Sequence, residues 1–173
     1  RAIEIDPGCT MAYFNRGNLY CSKDEYDKAI ADYTKIIEIN PKYIEVYFNR
    51  GNVYLCINKY DKAIDDYNRI IAIDPNNALA YSNRAKVYFK KYEFNKAITD
   101  YTKAIKNNPN LELENDYFGE INTSIIERGN AYLYINEYDK AINDYNKALE
   151  KNFSFMFSSI FYNRGFAYAN KCE

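Results

Sequence analysis

Four prolines, Pro7, Pro41, Pro75 and Pro109, stand 34 residues apart, and the same interval separates Asn15-Arg16-Gly17 from Asn49-Arg50-Gly51 and Asn83-Arg84-Ala85. A strict period of this length points to a stacked supersecondary unit rather than to one block of core. The tripeptide returns as Glu127-Arg128-Gly129 and Asn163-Arg164-Gly165 after intervals of 44 and 36, so ten and then two residues have been inserted. With Thr10 as position 1, full repeats run over 10–43, 44–77, 78–111 and 122–155, with an insertion at 112–121. Residues 1–9 read as the tail of a preceding repeat and 156–173 as the first helix of a further one, as expected of a segment of a longer array.

Each repeat carries two apolar stripes at helical spacing. Positions 4, 8 and 11 share one side of a helix, as do 17, 20, 24 and 27, because successive residues turn by about 100°. In the first repeat these include Tyr13, Gly17 and Tyr20, then Ala29 and Tyr33. The small residues let helix axes approach while neighbouring tyrosines fill the space beside them. Asp6, Asn40, Asp74 and Asn108 each precede a proline, which ends the second helix by pushing that residue out of the helical region. Within a repeat the turn falls at position 15, where Asp24, Asn58 and Asn136 can accept a left-handed backbone and Tyr92 is an anomaly.

The pattern of an aromatic at 4, a small residue at 8, Tyr at 11, Ala at 20, an aromatic at 24 and Pro at 32 resembles the tetratricopeptide repeat. The second repeat shows it in Tyr47, Gly51, Tyr54, Ala63, Tyr67 and Pro75, and the third in Tyr81, Ala85, Tyr88, Ala97, Tyr101 and Pro109. The fourth departs at Ile125 and Phe153 but keeps Gly129, Tyr132, Ala141 and Tyr145. The resemblance covers nearly the whole chain. It implies an all-α fold, a right-handed α-solenoid or superhelix of antiparallel helix-turn-helix units. It also implies a protein-protein interaction module that takes a peptide or helix of a partner in its concave groove.

Helical phase nominates the groove residues. Positions 6 and 9 lie about 200° and 140° round the first helix from position 4, so both are expected to point away from the packing face. They carry Asn15, Asn49, Asn83, Glu127 and Asn163, and Asn18, Asn52, Lys86, Asn130 and Phe166. A side-chain amide offers a donor and an acceptor together, the complement of a peptide bond, so such a ladder could hold an extended backbone without reading its sequence. Beside it Met11, Phe14, Phe48, Leu55, Phe89 and Tyr134 could receive apolar side chains, with Glu45, Lys86, Lys90 and Glu127 adding sparse charge. Asparagine abundance and tandem duplication offer the plainer account of the same ladder. A second use of this family, the carboxylate clamp for chaperone C-termini, requires three cations. The corresponding places hold Phe14, Asn18, Asn49, Leu79 and Asn83, or Phe48, Asn52, Asn83, Thr123 and Glu127 in the next register, and neither set has them.

Arginine recurs at position 7 (Arg16, Arg50, Arg84, Arg128, Arg164) and aspartate at position 23 (Asp32, Asp66, Asp100, Asp144), which predicts internal ion pairs in preference to an anion site. The insertion around 110–121, with Glu112, Glu114, Asp116 and Glu120 about Tyr117 and Phe118, is expected to lengthen the first helix of the fourth repeat or to form a loop, since insertions in solenoids map to the connections.

Composition closes off other classes. The 23 basic and 24 acidic residues are well mixed, giving a net charge of -1, so neither nucleic acid nor an anionic membrane surface is an expected partner. Histidine is absent, which removes the commonest acid-base group and zinc ligand, and no catalytic residue, cofactor or metal is expected. Cys9, Cys21, Cys56 and Cys172 are spaced by 12, 35 and 116, matching neither a metal knuckle nor a disulfide scaffold, so they read as reduced thiols in a cytoplasmic protein. The apolar final segment, with Phe153, Phe155, Met156, Phe157, Ile160 and Phe161, suggests an exposed end or self-association through the C-terminal helix. A scaffold built on such contacts, or the substrate-recruiting arm of a larger enzyme, is the alternative to peptide binding.

Overall fold

The computed structural model describes residues 8–108, 124–150 and 157–171, and every regular element among them is an α-helix. In chain order these are α1 (Thr10–Cys21), α2 (Tyr26–Ile39), α3 (Ile44–Cys56), α4 (Tyr60–Ile73), α5 (Ala78–Lys90), α6 (Phe94–Asn107), α7 (Ser124–Tyr134), α8 (Tyr138–Glu150) and α9 (Phe157–Lys171). The fold class is the expected one of antiparallel helix pairs, the α-solenoid class. The helices form two bodies that divide between Pro75 and Asn76. The first body has a core of Ala29, Tyr33, Ile36, Val46 and Val53. The second has one cluster around Ala85, Ala97 and Tyr101 and another around Ile125, Ile126, Ala141, Tyr145, Ala148 and Ile160. The insertion 112–121, together with Pro109, Phe153, Phe155, Met156 and Cys172, lies outside the described residues.

The same local chemistry builds every pair. Each first helix ends on a left-handed residue, Asp24, Asn58, Tyr92 or Asn136, with φ between 58° and 62°. The next amide then reaches back to the position-11 carbonyl: Glu25 to Tyr20 at 2.9 Å, Lys59 to Tyr54 at 2.8 Å, Glu93 to Tyr88 and Glu137 to Tyr132 at 2.9 Å. This is the Schellman arrangement, which satisfies carbonyls that a helix end leaves open. In three of the turns a position-17 tyrosine locks the left-handed residue. The Tyr26, Tyr60 and Tyr138 hydroxyls donate to the side chains of Asp24, Asn58 and Asn136 at 2.6, 2.8 and 2.8 Å. At the other end of the pair Asn40, Asp74 and Asn108 are extended, as the following prolines require.

Close approach of the two helices depends on position 8. A Cβ built on Gly17 would lie 2.7 Å from the Tyr33 ring, on Gly51 3.0 Å from Tyr67, and on Gly129 2.9 Å from Tyr145. Beneath each of these contacts runs the expected ion pair. Asp32, Asp66, Asp100 and Asp144 are all buried, and each accepts two bonds from its arginine, between 2.6 and 2.9 Å. The arginines also stitch successive repeats: Arg50 Nη1 donates to Thr34 at 2.9 Å, Arg128 Nη1 to Thr102 at 3.1 Å and Arg164 Nη1 to Asn146 at 2.7 Å.

Candidate functional site

The position-6 and position-9 amides form an internal array before they form a surface. In the first body Asn18 Oδ1 accepts from the Tyr33 hydroxyl at 2.7 Å and from Asn49 Nδ2 of the next repeat at 3.0 Å. The second body repeats the arrangement, with Asn130 Oδ1 accepting from the Tyr145 hydroxyl at 2.8 Å and from Asn163 Nδ2 at 3.0 Å. Asn52 Oδ1 takes the Tyr67 hydroxyl in the same way. The position-9 carbonyl is therefore committed inward, and the amino group on the same carbon is the part turned away from that bond.

This corrects part of the expectation from helical phase. Asn49 is 6 % exposed, Asn83 3 % and Phe48 1 %, so these three do not present their side chains to a ligand. A helical wheel gives the angle of a side chain on its own helix and not the distance to the next one. α1 and α3 stand close enough for an Asn18–Asn49 bond, which places Asn49 in their seam. Asn15, Asn18 and Lys90 are exposed, and Phe14, Asn52, Lys86, Glu127 and Asn130 are half-buried. Phe14 stacks on Tyr43 with ring centres 5.9 Å apart. Among the apolar candidates Met11 and Tyr134 are exposed, while Phe89 packs edge-on against Phe94 and Tyr134.

The second body breaks the array at one place. Position 9 of the third repeat is Lys86, and position 6 of the fourth is Glu127, where the other full repeats hold asparagines. An ammonium has no acceptor, and the Tyr101 hydroxyl, buried like its counterparts, has no hydrogen-bond partner among the described residues. Burial raises the Glu127 pKa, against the opposing pull of the Asn130 hydrogen bond and of the Lys86 and Lys90 charges. Burial likewise raises the Tyr101 hydroxyl well above its ordinary value, with the Glu127 charge adding to it. Sequence reading took position 24 as packing alone. The signal it passed over was that all four repeats have Tyr there and none Phe.

Cys21 Sγ lies 3.3 Å from the Tyr33 hydroxyl, and burial raises its pKa, the wrong direction for a reactive thiol. Among the described residues no group of His, Cys, Asp or Glu is placed to hold a metal ion, and no helix is long and apolar enough to cross a membrane.

Comparison with known proteins gives the same family along the chain. A tetratricopeptide-repeat model matches residues 44–77, 78–111 and 126–155, and a second TPR-repeat model matches 17–56. No characterised protein matches by sequence search. Among solved structures the chain is similar to MamA, with a TM-score of 0.80 and 25% identity over 94% of this chain and 82% of that one. It is similar in fold to YrrB, described as a TPR protein with an unusual peptide-binding site, with a TM-score of 0.76 and 24% identity over 98% and 81% of the two chains. The first TPR domain of Spaghetti (RPAP3), bound to the HSP90 peptide SRMEEVD, aligns with a TM-score of 0.61 and 24% identity over 73% and 92%.

Proposed function

Because the chain belongs to the tetratricopeptide-repeat family, we propose that it is a protein-interaction module that binds an extended peptide of a partner protein along its first helices. The observation that carries this reading is the orientation of the position-9 amides. With Oδ1 of Asn18 taken by Tyr33 and Asn49, the amide is held in one orientation and its Nδ2 remains to meet a peptide carbonyl. An amide whose orientation is already held loses less freedom when a ligand arrives. Peptide binding by YrrB and by the first TPR domain of RPAP3 supports the reading at the level of the fold. The carboxylate clamp is not proposed, since Phe14 and Leu79 stand where cations are needed.

The test is selection of binders from a random peptide library, followed by titration of Asn18→Asp/Asn52→Asp. These changes keep the acceptors for Tyr33 and Tyr67 and replace only the amino groups. Two lost donor bonds at about 1 kcal/mol each predict affinity lowered by about tenfold or more, at unchanged helical content. Selection of no peptide, or equal binding by the double variant, overturns the reading.

One observation favours self-association as a second mode. α9 exposes Phe161, Tyr162, Phe166 and Tyr168, each about half or more. A Cβ at Gly165 would meet nothing within 4 Å, whereas Gly17, Gly51 and Gly129 each face a tyrosine. Among the described residues no position-24 tyrosine meets Gly165, and a second copy of the chain could supply one. Sedimentation equilibrium should show dimers that Phe161→Glu/Tyr162→Glu disperses; a wild-type chain that stays monomeric at high concentration excludes the mode.

A further inference from the structure

Tandem copies share a template, and the positions where one copy abandons it together are informative. Around the third repeat the departures gather in one place. At the turn, position 15 is Tyr92 and position 17 is Phe94, so both halves of the Tyr–Asx lock seen in the other three turns are gone. Tyr92 nevertheless holds φ at 60°, a conformation that is costly for an aromatic residue. Two residues back, position 13 is Lys90, and one turn before that position 9 is Lys86 in place of asparagine. The neighbouring repeat contributes Tyr134 and Glu127.

The aromatic ones among these residues adjoin one another. Phe94 and Tyr134 stack with ring centres 4.8 Å apart and planes 8° from parallel, and Phe89 meets both edge-on at 5.3 and 5.4 Å. Tyr134 is 62 % exposed and Tyr92 79 %, so the aromatic patch is open to solvent. On the helix that carries Phe89, Lys86 and Lys90 lie within electrostatic reach of Glu127. Among the described residues the buried Tyr101 hydroxyl has no acceptor. Asn130 adds no acceptor, because its Oδ1 already takes Tyr145 and Asn163. The charge of Lys86, Lys90 and Glu127 together is positive by one. A ligand that complements such a place brings an acceptor-rich anion next to an apolar ring.

We propose that the junction of the third and fourth repeats is a specificity site for a peptide segment in which a carboxylate side chain adjoins an aromatic one. Lys90 and Lys86 take the carboxylate, and the Phe94–Tyr134 stack takes the ring. As the ligand draws the lysine charge outward, Glu127 becomes available to accept from the Tyr101 hydroxyl, so binding would satisfy a group that has no partner among the described residues of the unliganded chain. The inference rests on the peptide-binding reading above and names the side chains that this part of the surface selects.

The probe is a fluorescein-labelled peptide with blocked ends and a Glu-Glu-Phe core in a Gly-Ser frame, compared with Gln-Gln-Phe and Glu-Glu-Ser cores by anisotropy. Wild type should bind Glu-Glu-Phe and lose about tenfold or more on Gln-Gln-Phe, the scale of a charge-assisted hydrogen bond. Lys90→Ser, which installs the residue of the first repeat, should erase that preference, and Tyr134→Ser the preference for Phe over Ser. A second variant, Lys86→Asn/Glu127→Asn, restores the template and returns an acceptor to Tyr101. It should melt no lower than wild type while losing the peptide, which separates a binding defect from a folding defect. Equal binding of Glu and Gln cores, an unchanged Lys90→Ser, or capture that requires a free C-terminal carboxylate each overturns the proposal. If library peptides still bind in those cases, the general reading stands and only this site falls; if no peptide binds at all, both fall.

Discussion

Asp144→Ala should destabilise the second body by about 3–5 kcal/mol, the range for breaking one side of a buried ion pair. Asp144 is 1 % exposed and accepts from Arg128 Nε and Nη2 at 2.7 Å each. The arginine side chain is only 13 % exposed, and its Nη1 is held by Thr102. Removing the carboxylate leaves a guanidinium that can neither deprotonate nor swing out to water without breaking the contact between α6 and α7. Asp139→Ala is the control: Asp139 pairs with Lys171 at the surface, with the two side chains 76 % and 49 % exposed. An exposed pair of this kind contributes about 0–1 kcal/mol. Replacing both partners, as Arg128→Met/Asp144→Leu, should recover much of the loss, since the cost lies in the orphaned charge. Urea unfolding followed by circular dichroism measures all three. A loss under about 1 kcal/mol for Asp144→Ala would mean that water reaches the arginine once its partner is gone.

What could be read from the sequence divides along a physical line. The prolines, the left-handed position 15 and the Arg–Asp recurrence depend on chain-local rules or on a fixed 16-residue separation, as between Arg128 and Asp144, so one repeat read alone suffices. Even Tyr92, which breaks the residue preference at position 15, adopts the turn, because the Tyr88–Glu93 backbone bond and the packed helices on either side determine it. The groove was less legible. Asn49 has the phase of a groove residue, yet it is buried, because burial depends on which helix lies alongside, here the one that carries Asn18. The Tyr101 orphan was illegible until the Tyr33–Asn18 bond showed what a position-24 hydroxyl ordinarily does. Only with that bond in view does Lys86 change from one charged residue among many into the loss of an acceptor.

That contrast makes a second large effect separable into its parts. Tyr145→Ala is expected to cost about 3–5 kcal/mol, the range for removing a fully buried aromatic side chain and leaving a cavity. Tyr145 is fully buried, its ring fills the gap left by the missing Cβ of Gly129, and its hydroxyl donates to Asn130. Tyr145→Phe keeps the ring and removes only the donor, so it should cost about 1 kcal/mol, the net value of one hydrogen bond. Tyr101 provides the complementary case in the same fold. Its ring is equally buried beside Ala85 and Ala97, but its hydroxyl has no partner among the described residues. Tyr101→Phe removes an unsatisfied polar group, and the chain should become more stable by about 1 kcal/mol or stay level. Opposite signs for two chemically identical substitutions, read by thermal unfolding in the absence of ligand, are what the two hydroxyl environments require. A loss at Tyr101→Phe equal to that at Tyr145→Phe would show that the Tyr101 hydroxyl is satisfied in solution, by water or by Glu127, and would remove the donor on which the junction site draws.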